Sequence, residues 1–381
     1  MPKVLGPRAL NRALLARQFL LKRQDRSAES TLEHLVGLQA QAPMPPYFGL
    51  WTRLNDFEHG ALSRLLLERQ AVRIALMRGT VHLVTARDSL RLRRPLQAAI
   101  ERGLYSTPGG KALMGIDAAA VAAAARIVLE ERPRTNAELG PLLAARWPDY
   151  PAEELVRLTR CMLPLVQVPP RGIWGASGQA TSTTLEHWLG APFNEDATID
   201  DLVLRYVAAF GPASVQDAQK WSGLTRLGAA FERLRPQLCT FEGDDGRELF
   251  DVPDAPRPSP NIAAPARFLP DFDNVLLSHA NREHILSEEH RARVFTINGL
   301  IRATILVDGR VAGLWQIDEH KDTATLTIEP FAPLAKRDIA ALTAEGKRLL
   351  RFAAEERPHR GVRFTSPKAA KGRRAAPPKT K

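Results

Sequence analysis

The sequence predicts an α+β protein: tandem winged-helix units (helix-turn-helix plus wing), then a small antiparallel β-sheet or barrel and a terminal helix. Three observations carry this reading. The order helix, helix, helix, two short β-type runs occurs three times before residue 256. A Pro-rich stretch, Pro253–Pro265, then changes the composition and reads as a linker. Beyond it lies a series of β-type runs around an Asp308-Gly309 turn. The 381 residues admit two or three compact units at about 150 residues each, and 44% hydrophobic with 25% charged residues is ordinary globular usage.

The first unit spans residues 1–90. Asn11 stands where it can cap a run with Leu14, Leu15, Gln18, Phe19 and Leu21 at helical spacing, and Ser27 and Ser30 open a helix through Leu32, Leu35 and Val36. Pro43, Pro45 and Pro46 end it and impose an extended, turn-rich segment. Leu62–Glu68 is a third helix, and Val72–Met77 and Thr80–Val84 form a hairpin around Arg78-Gly79. In the second unit, 91–190, the helices are Asp117–Glu131, Glu138–Arg146 capped by Thr135, and Pro151–Leu163. Short strands Leu165–Val168 and Gly172–Trp174 follow around Pro169-Pro170.

The third unit, 191–256, has helices Asp200–Phe210, Ser214–Trp221 and Thr225–Arg235 with a Ser222-Gly223 turn between the last two. Strands Leu238–Glu242 and Glu248–Val252 close it across Gly243-Asp244-Asp245-Gly246. A C-terminal unit, 257–360, holds β-runs Arg267–Leu269, Val275–Leu277, Val294–Ile297, Ile301–Val307, Val311–Ile317 and Thr323–Ile328, with helix Leu334–Glu356 packed on them. Residues 361–381 read as a disordered basic tail. The repetition is one of pattern, with no sequence-level repeat.

Charge and composition exclude several classes. Lys and Arg number 53 against 42 Asp and Glu, a net +11, but six basic residues and no acidic one fall in 366–381. Residues 1–365 carry only +5, which tilts the odds toward a polyanion without requiring one. No apolar run approaches the ~18–20 residues of a membrane span. Arg8, Arg12 and Arg17 precede any signal-type stretch, and Cys161 and Cys239 are the only cysteines. A cytoplasmic protein with two buried thiols, no membrane contact and no dimerisation heptad, hence a monomer, is expected.

Familiar catalytic motifs fail. Gly175-Ala176-Ser177-Gly178-Gln179 lacks the last glycine of a nucleophile elbow, and Gly109-Gly110-Lys111-Ala112 lacks the upstream glycine and Ser/Thr of a phosphate loop. His279, His284 and His290 lie near Glu283, Glu288 and Glu289 without a metal-ligand spacing, so neither metal nor cofactor is expected. The DNA signals are better. The candidate recognition helix carries Arg226, Arg233 and Arg235 and follows Lys220; Arg73 and Arg78 sit on the first wing, and Arg171 at the tip of the second.

One segment is singular: Gly37-Leu38-Gln39-Ala40-Gln41-Ala42-Pro43-Met44-Pro45-Pro46-Tyr47. On a helix, Gln39 and Gln41 would diverge by roughly 200°. Ahead of Pro43 an extended backbone is favoured, and there residues i and i+2 face one side. Two amides can orient a water or a base edge, but neither titrates, so neither is a general base. From these residues alone, satisfying loop backbone groups is the alternative role.

The same segment, continued to Gly49-Leu50-Trp51, resembles the signature of the AlkZ-type winged-helix DNA glycosylases, a bacterial family with a YcaQ branch. The likeness extends to Met77–Val84, to Val168–Gly175 and to Phe268–Arg282, covering nearly the whole chain except the tail. It implies tandem winged helices forming a concave DNA-binding body, and hydrolytic excision of N7-alkylated purines from double-stranded DNA, including bulky adducts and crosslinks. The motif carried over is Gln-x-Gln, here Gln39 and Gln41; the YcaQ branch has Gln-x-Asp. Asn281 stands where Asp is commoner. Arg78, His82, His279 and Arg282 are the candidates for lining the cleft or gripping phosphate, beside Arg171. No lysine has a Schiff-base setting, so a monofunctional enzyme is expected. The rival is a non-enzymatic winged-helix DNA-binding protein or regulator, which usually needs a dimer and two half-sites.

Overall fold

Three β-sheets organise the molecule, each joining segments far apart in sequence. The computed structural model describes residues 3–105, 108–194 and 196–367. Helices and sheets alternate along the chain, an α+β arrangement.

The first sheet has the order Leu38–Gln39, Val81–Thr85, Ala71–Ala75, Leu165–Gln167, Ser182–Thr184, every pairing antiparallel. The hairpin expected at 72–84 is therefore present, joined through a tight turn at Met77–Gly79. Its outer edge pairs with the second unit, so the two expected wings fuse into one sheet. The strand expected at Gly172–Trp174 is a turn instead, and Ser182–Thr184 pairs in its place. Gly172 has φ +95° and passes so close to Arg73 that a Cβ would lie 2.9 Å from its Cδ. A strand is incompatible with that backbone.

The third unit follows its expected order: helices Ile199–Phe210, Val215–Ser222 and Gly228–Leu234, then the hairpin Cys239–Gly243 and Glu248–Asp251. Reciprocal capping boxes, Thr198 with Asp201 and Ser214 with Asp217, start the first two helices. Gly223, at φ +82°, ends the second. Val4–Leu5 adds a parallel strand to this hairpin.

The C-terminal sheet runs Arg267–Leu269, Thr304–Val307, Arg310–His320, Thr323–Pro330 antiparallel, then His359–Phe364 parallel to its neighbour. Helix Lys336–Ala353 is the crossover that a parallel pair requires. It covers the sheet with Leu342, Leu349 and Leu350, and Gly346 lies where a Cβ would be 2.7 Å from Leu326 Cδ2. Residues 361–364 of the expected tail are thus a strand; Lys368–Lys381 lie outside the described residues. Two further β-runs are corrected: Val275–Leu277 falls in a 3-10 turn, Asn274–Leu276, and its end, and Val294 closes the helix Glu288–Val294.

Two smaller corrections bear on the site. Pro45 and Pro46 do not extend the chain but open a helix, Pro45–Trp51, where a missing N–H costs nothing. Asn11 is no cap: it is buried inside the helix Pro7–Arg17, donating to the carbonyls of His284 and Gly309. The two thiols are half-buried rather than buried, and burial pushes both up.

The units share cores. One apolar cluster unites Leu14, Ile74, Tyr206, Phe231 and Leu314; another joins Leu38, Leu50 and Leu83 to Phe268, Leu326 and Leu349. The segment 37–51 is therefore clamped between the first sheet and the C-terminal sheet. Buried ion pairs Arg53–Asp273, Arg17–Asp251 and Arg23–Glu345 tie the N-terminal helices to the later units.

Candidate active site

Gln39 ends the edge strand Leu38–Gln39, opposite His82. Gly37 makes that edge possible: at φ +84°, a Cβ there would lie 2.5 Å from Val84 Cγ1, and its carbonyl accepts from Asn274 Nδ2 at 2.8 Å. Beyond Gln39, the Ala40 N–H donates to the Val81 carbonyl at 2.7 Å, and the Ala40 carbonyl accepts from Arg73 Nη2 at 3.0 Å. The backbone is thus extended at Leu38–Gln39 and tied on through Ala40; residues 41–44 are bends, so the extended stretch expected up to Pro43 stops short of Gln41.

The two side chains meet the same turn. Gln39 Oε1 accepts from Arg78 Nη2 at 2.8 Å, and Gln41 Oε1 accepts from the Val81 N–H at 3.3 Å. Gln39 is buried and Gln41 exposed. Arg78 has φ +57°, a left-handed conformation that is uncommon for a non-glycine residue. Its Nη1 donates to the Trp221 carbonyl, and Gly223 packs on its backbone, a Cβ there lying 3.0 Å from Arg78 Cα.

Cations gather around this segment. Burial first, and Arg282 second, pull the Arg78 guanidinium down to about 10; burial and then Arg171 do the same to Arg73. Arg282 lies over the Phe295 ring at 5.2 Å, and its Nε is buried without a hydrogen-bond partner. Arg171 Nη1 donates to the Gly178 carbonyl at 3.2 Å, while its Nε is likewise unpartnered. None of these four arginines makes an ion pair among the described residues. Arg73, Arg78, Arg171 and Arg282 thus place positive charge around Gln39–Gln41, Arg282 being offset in part by Asp217 and Glu288, a field that suits phosphate.

The other expected residues separate. His82 is buried with Nδ1 2.8 Å from the Thr80 carbonyl, and burial, then Arg78, lowers it to about 3, so it stays neutral. His279 lines a different cavity of about 250 Å³ with Asp217 and His284, its Nδ1 2.9 Å from Ser278 Oγ; burial lowers its pKa. On the candidate recognition helix, Arg233 pairs with Asp200, and Arg235 with Glu232 and Glu248. Lys220 and Arg226 are exposed and make no ion pair among the described residues. Sequence reasoning misses Arg102, which donates to the Gly223 carbonyl at 2.7 Å and to Thr225 Oγ1 at 3.2 Å, bracing the turn between helices Val215–Ser222 and Gly228–Leu234. Nothing local marks it out, since its partners are over a hundred residues away.

A larger cavity, about 910 Å³, opens beside Ala42 between the first unit and the C-terminal sheet, walled by Phe48, Trp174, Trp315 and Phe352. No cluster of three or more His, Cys, Asp or Glu side chains among the described residues is arranged to hold a metal ion.

Comparisons with known proteins agree with one another. A family model described as DNA glycosylase AlkZ-like matches residues 32–352. An interstrand DNA cross-link repair glycosylase of Streptomyces sahachiroi is 24% identical over 371 residues, spanning 90% of this chain and 95% of that protein. The solved structure of the Streptomyces sahachiroi DNA glycosylase AlkZ is similar with a TM-score of 0.74 at 21% identity, over 95% of this chain and all of that one, a likeness of fold.

Proposed function

The chain belongs to the AlkZ-like DNA glycosylase family, and on that premise we propose that it hydrolyses the N-glycosidic bond of N7-alkylated purines in double-stranded DNA. The observation that carries this is the placement of Gln39 and Gln41: two uncharged amides that meet one turn, close to arginines that make no ion pair among the described residues.

The chemistry asks for that combination. Alkylation at N7 makes the purine cationic, so on cleavage of C1′–N9 the bonding electrons go to the base, which leaves neutral and needs no general acid. The sugar passes through an oxocarbenium-like state. Water adds at C1′, and its surplus proton passes to solvent. The protein's task is to hold the sugar-phosphate and place the water, which is positioning and electrostatics. Gln39 and Gln41 place the water and the sugar. Arg282 and Arg171 hold phosphate, with Lys220 and Arg226 at the turn before the third helix. Arg78 and His82 line the floor; His279 supports the region from its own cavity.

We read the helix-helix-helix-hairpin orders of 1–90, 91–190 and 191–256 as winged helices, the first two sharing a sheet, with 257–360 as the β-unit that backs the cleft. The cavity beside Ala42 leaves room for an adduct larger than methyl, so unhooking of interstrand crosslinks, the activity named for the Streptomyces sahachiroi relative, belongs to the same proposal. The protein acts as a monomer, in the cytoplasm. No helix among the described residues is long and apolar enough to cross a membrane. Incubation with duplex DNA holding one N7-methylguanine tests the reading: free N7-methylguanine and an intact abasic strand are expected, and no released base would overturn it.

A further inference from the structure

We propose that Arg78 is a positioning residue for Gln39: it fixes which face of the amide meets the lesion and ties that amide to the helix-turn-helix turn of the third unit. The inference rests on the glycosylase reading above.

The orientation of both amides is set by their surroundings. A guanidinium and a backbone N–H are donors only. Arg78 Nη2 and the Val81 N–H therefore each require an oxygen opposite, and each meets a glutamine Oε1. For Gln39, which is buried, a flipped amide would set NH2 against N–H, which is costly. The atoms left over are the two Nε2 groups, neither with a hydrogen-bond partner among the described residues; Gln39 Nε2 is not fully enclosed, and Gln41 is exposed. The cleft is thus offered two amide donors. A water that accepts from one of them keeps a second lone pair for C1′, and sugar-phosphate oxygens accept from the other.

Arg78 is built for that task rather than for a direct phosphate contact. Both its terminal nitrogens are engaged, one with Gln39 and one with the Trp221 carbonyl. Its left-handed backbone is held by Gly223, whose missing Cβ admits the turn. Strained residues of this kind persist where their surroundings over-determine them. Lys220, exposed, immediately precedes Trp221, so the glutamine is set relative to an element placed to meet DNA.

The experiment measures single-turnover N7-methylguanine release and duplex affinity at several salt concentrations for the wild type, Arg78→Lys, Arg78→Ala and Gln39→Glu. Release by the wild type is the precondition; its absence overturns the glycosylase reading itself. Arg78→Lys keeps a buried cation but cannot fork to Gln39 and Trp221 together. We expect its maximal rate to fall about 100-fold, with Kd and the salt slope unchanged. Methylguanidinium is expected to restore part of the Arg78→Ala rate. Gln39→Glu keeps the Arg78 contact but offers an acceptor in place of the donor, and is expected to lose rate likewise. A full rate in Arg78→Lys, or a loss carried by weaker binding and a shallower salt slope, would overturn the proposal. If Arg78→Ala does not fold, Arg78→Lys and Gln39→Glu decide the matter.

Discussion

Gln39 and His82 stand opposite each other on antiparallel strands, so a neutral amide and a neutral imidazole share the floor of the candidate cleft. Neither moves a proton near neutral pH, since the amide does not titrate and burial holds His82 down at about 3. The site has the character of a mould rather than of an acid-base pair.

The rate of base release should therefore be flat between about pH 6 and 9. A bell-shaped profile for the wild type, measured under single-turnover conditions, would place a titrating group in the reaction and contradict the assignment.

Stability has a different pH dependence. His82, His279 and His284 are all depressed by burial below the ordinary imidazole value of 6.5. Below that value the unfolded chain binds protons that the folded chain excludes. Stability is thus complete above about pH 6.5 and lost as the pH falls, by up to about 1.4 kcal/mol per pH unit for each imidazole kept neutral. Urea melts from pH 7 to pH 4 should show this, and His82→Asn should make the decline shallower.

Gln39→Ala and Gln41→Ala should each lower the single-turnover rate by about 10²–10³-fold, the usual effect of removing a preorganised hydrogen-bonding group. Circular dichroism should remain that of the wild type, because neither side chain belongs to an apolar core cluster. Full rates in both variants would remove the catalytic assignment.

Paired and unpaired arginines should separate in salt titrations of DNA binding. Arg282→Ala and Arg226→Ala should each reduce the slope of log K against log salt by about one. Arg233→Ala and Arg235→Ala should leave it nearly unchanged, since their charges already face Asp200, Glu232 and Glu248. Equal effects from all four would show that helix 228–234 lies on DNA through its whole length.

The fully buried pair Arg53–Asp273, bidentate at 2.8 Å for both bonds, clasps the first unit to the C-terminal unit. Asp273→Asn strands a buried guanidinium and should cost about 3–5 kcal/mol in a denaturant melt. A cost below about 1 kcal/mol would mean that the shared apolar core alone holds the units together.

Much of the local structure is legible in the chain. Thr135 and Ser214 cap where their side chains predict, Gly223 ends its helix, and Asp308-Gly309 turns its hairpin with both residues at positive φ. These depend on neighbours within a few positions. The misplaced elements depend on distant ones. Ser182–Thr184 is a strand because Leu165–Gln167 needs a partner, and His359–Phe364 because a helix returns the chain to a sheet edge. Pro45-Pro46 carries two meanings in sequence, and only the packing of Tyr47 and Leu50 into the core selects a helix start.

For the site, residue order alone gives the two glutamines and a chain whose basic residues outnumber its acidic ones, while the extended backbone it favours ahead of Pro43 stops short of Gln41. Packing decides how those residues are held. Arg282, two hundred positions away, lowers the Arg78 guanidinium, and Trp221, through Arg78, and Val81 bear on which way the amides face. Hydrogen-bonding type and backbone preference are properties of a residue and its neighbours. Which cation goes without an acidic partner, and which face of an amide is left free, depends on chain segments that meet only when the cores close.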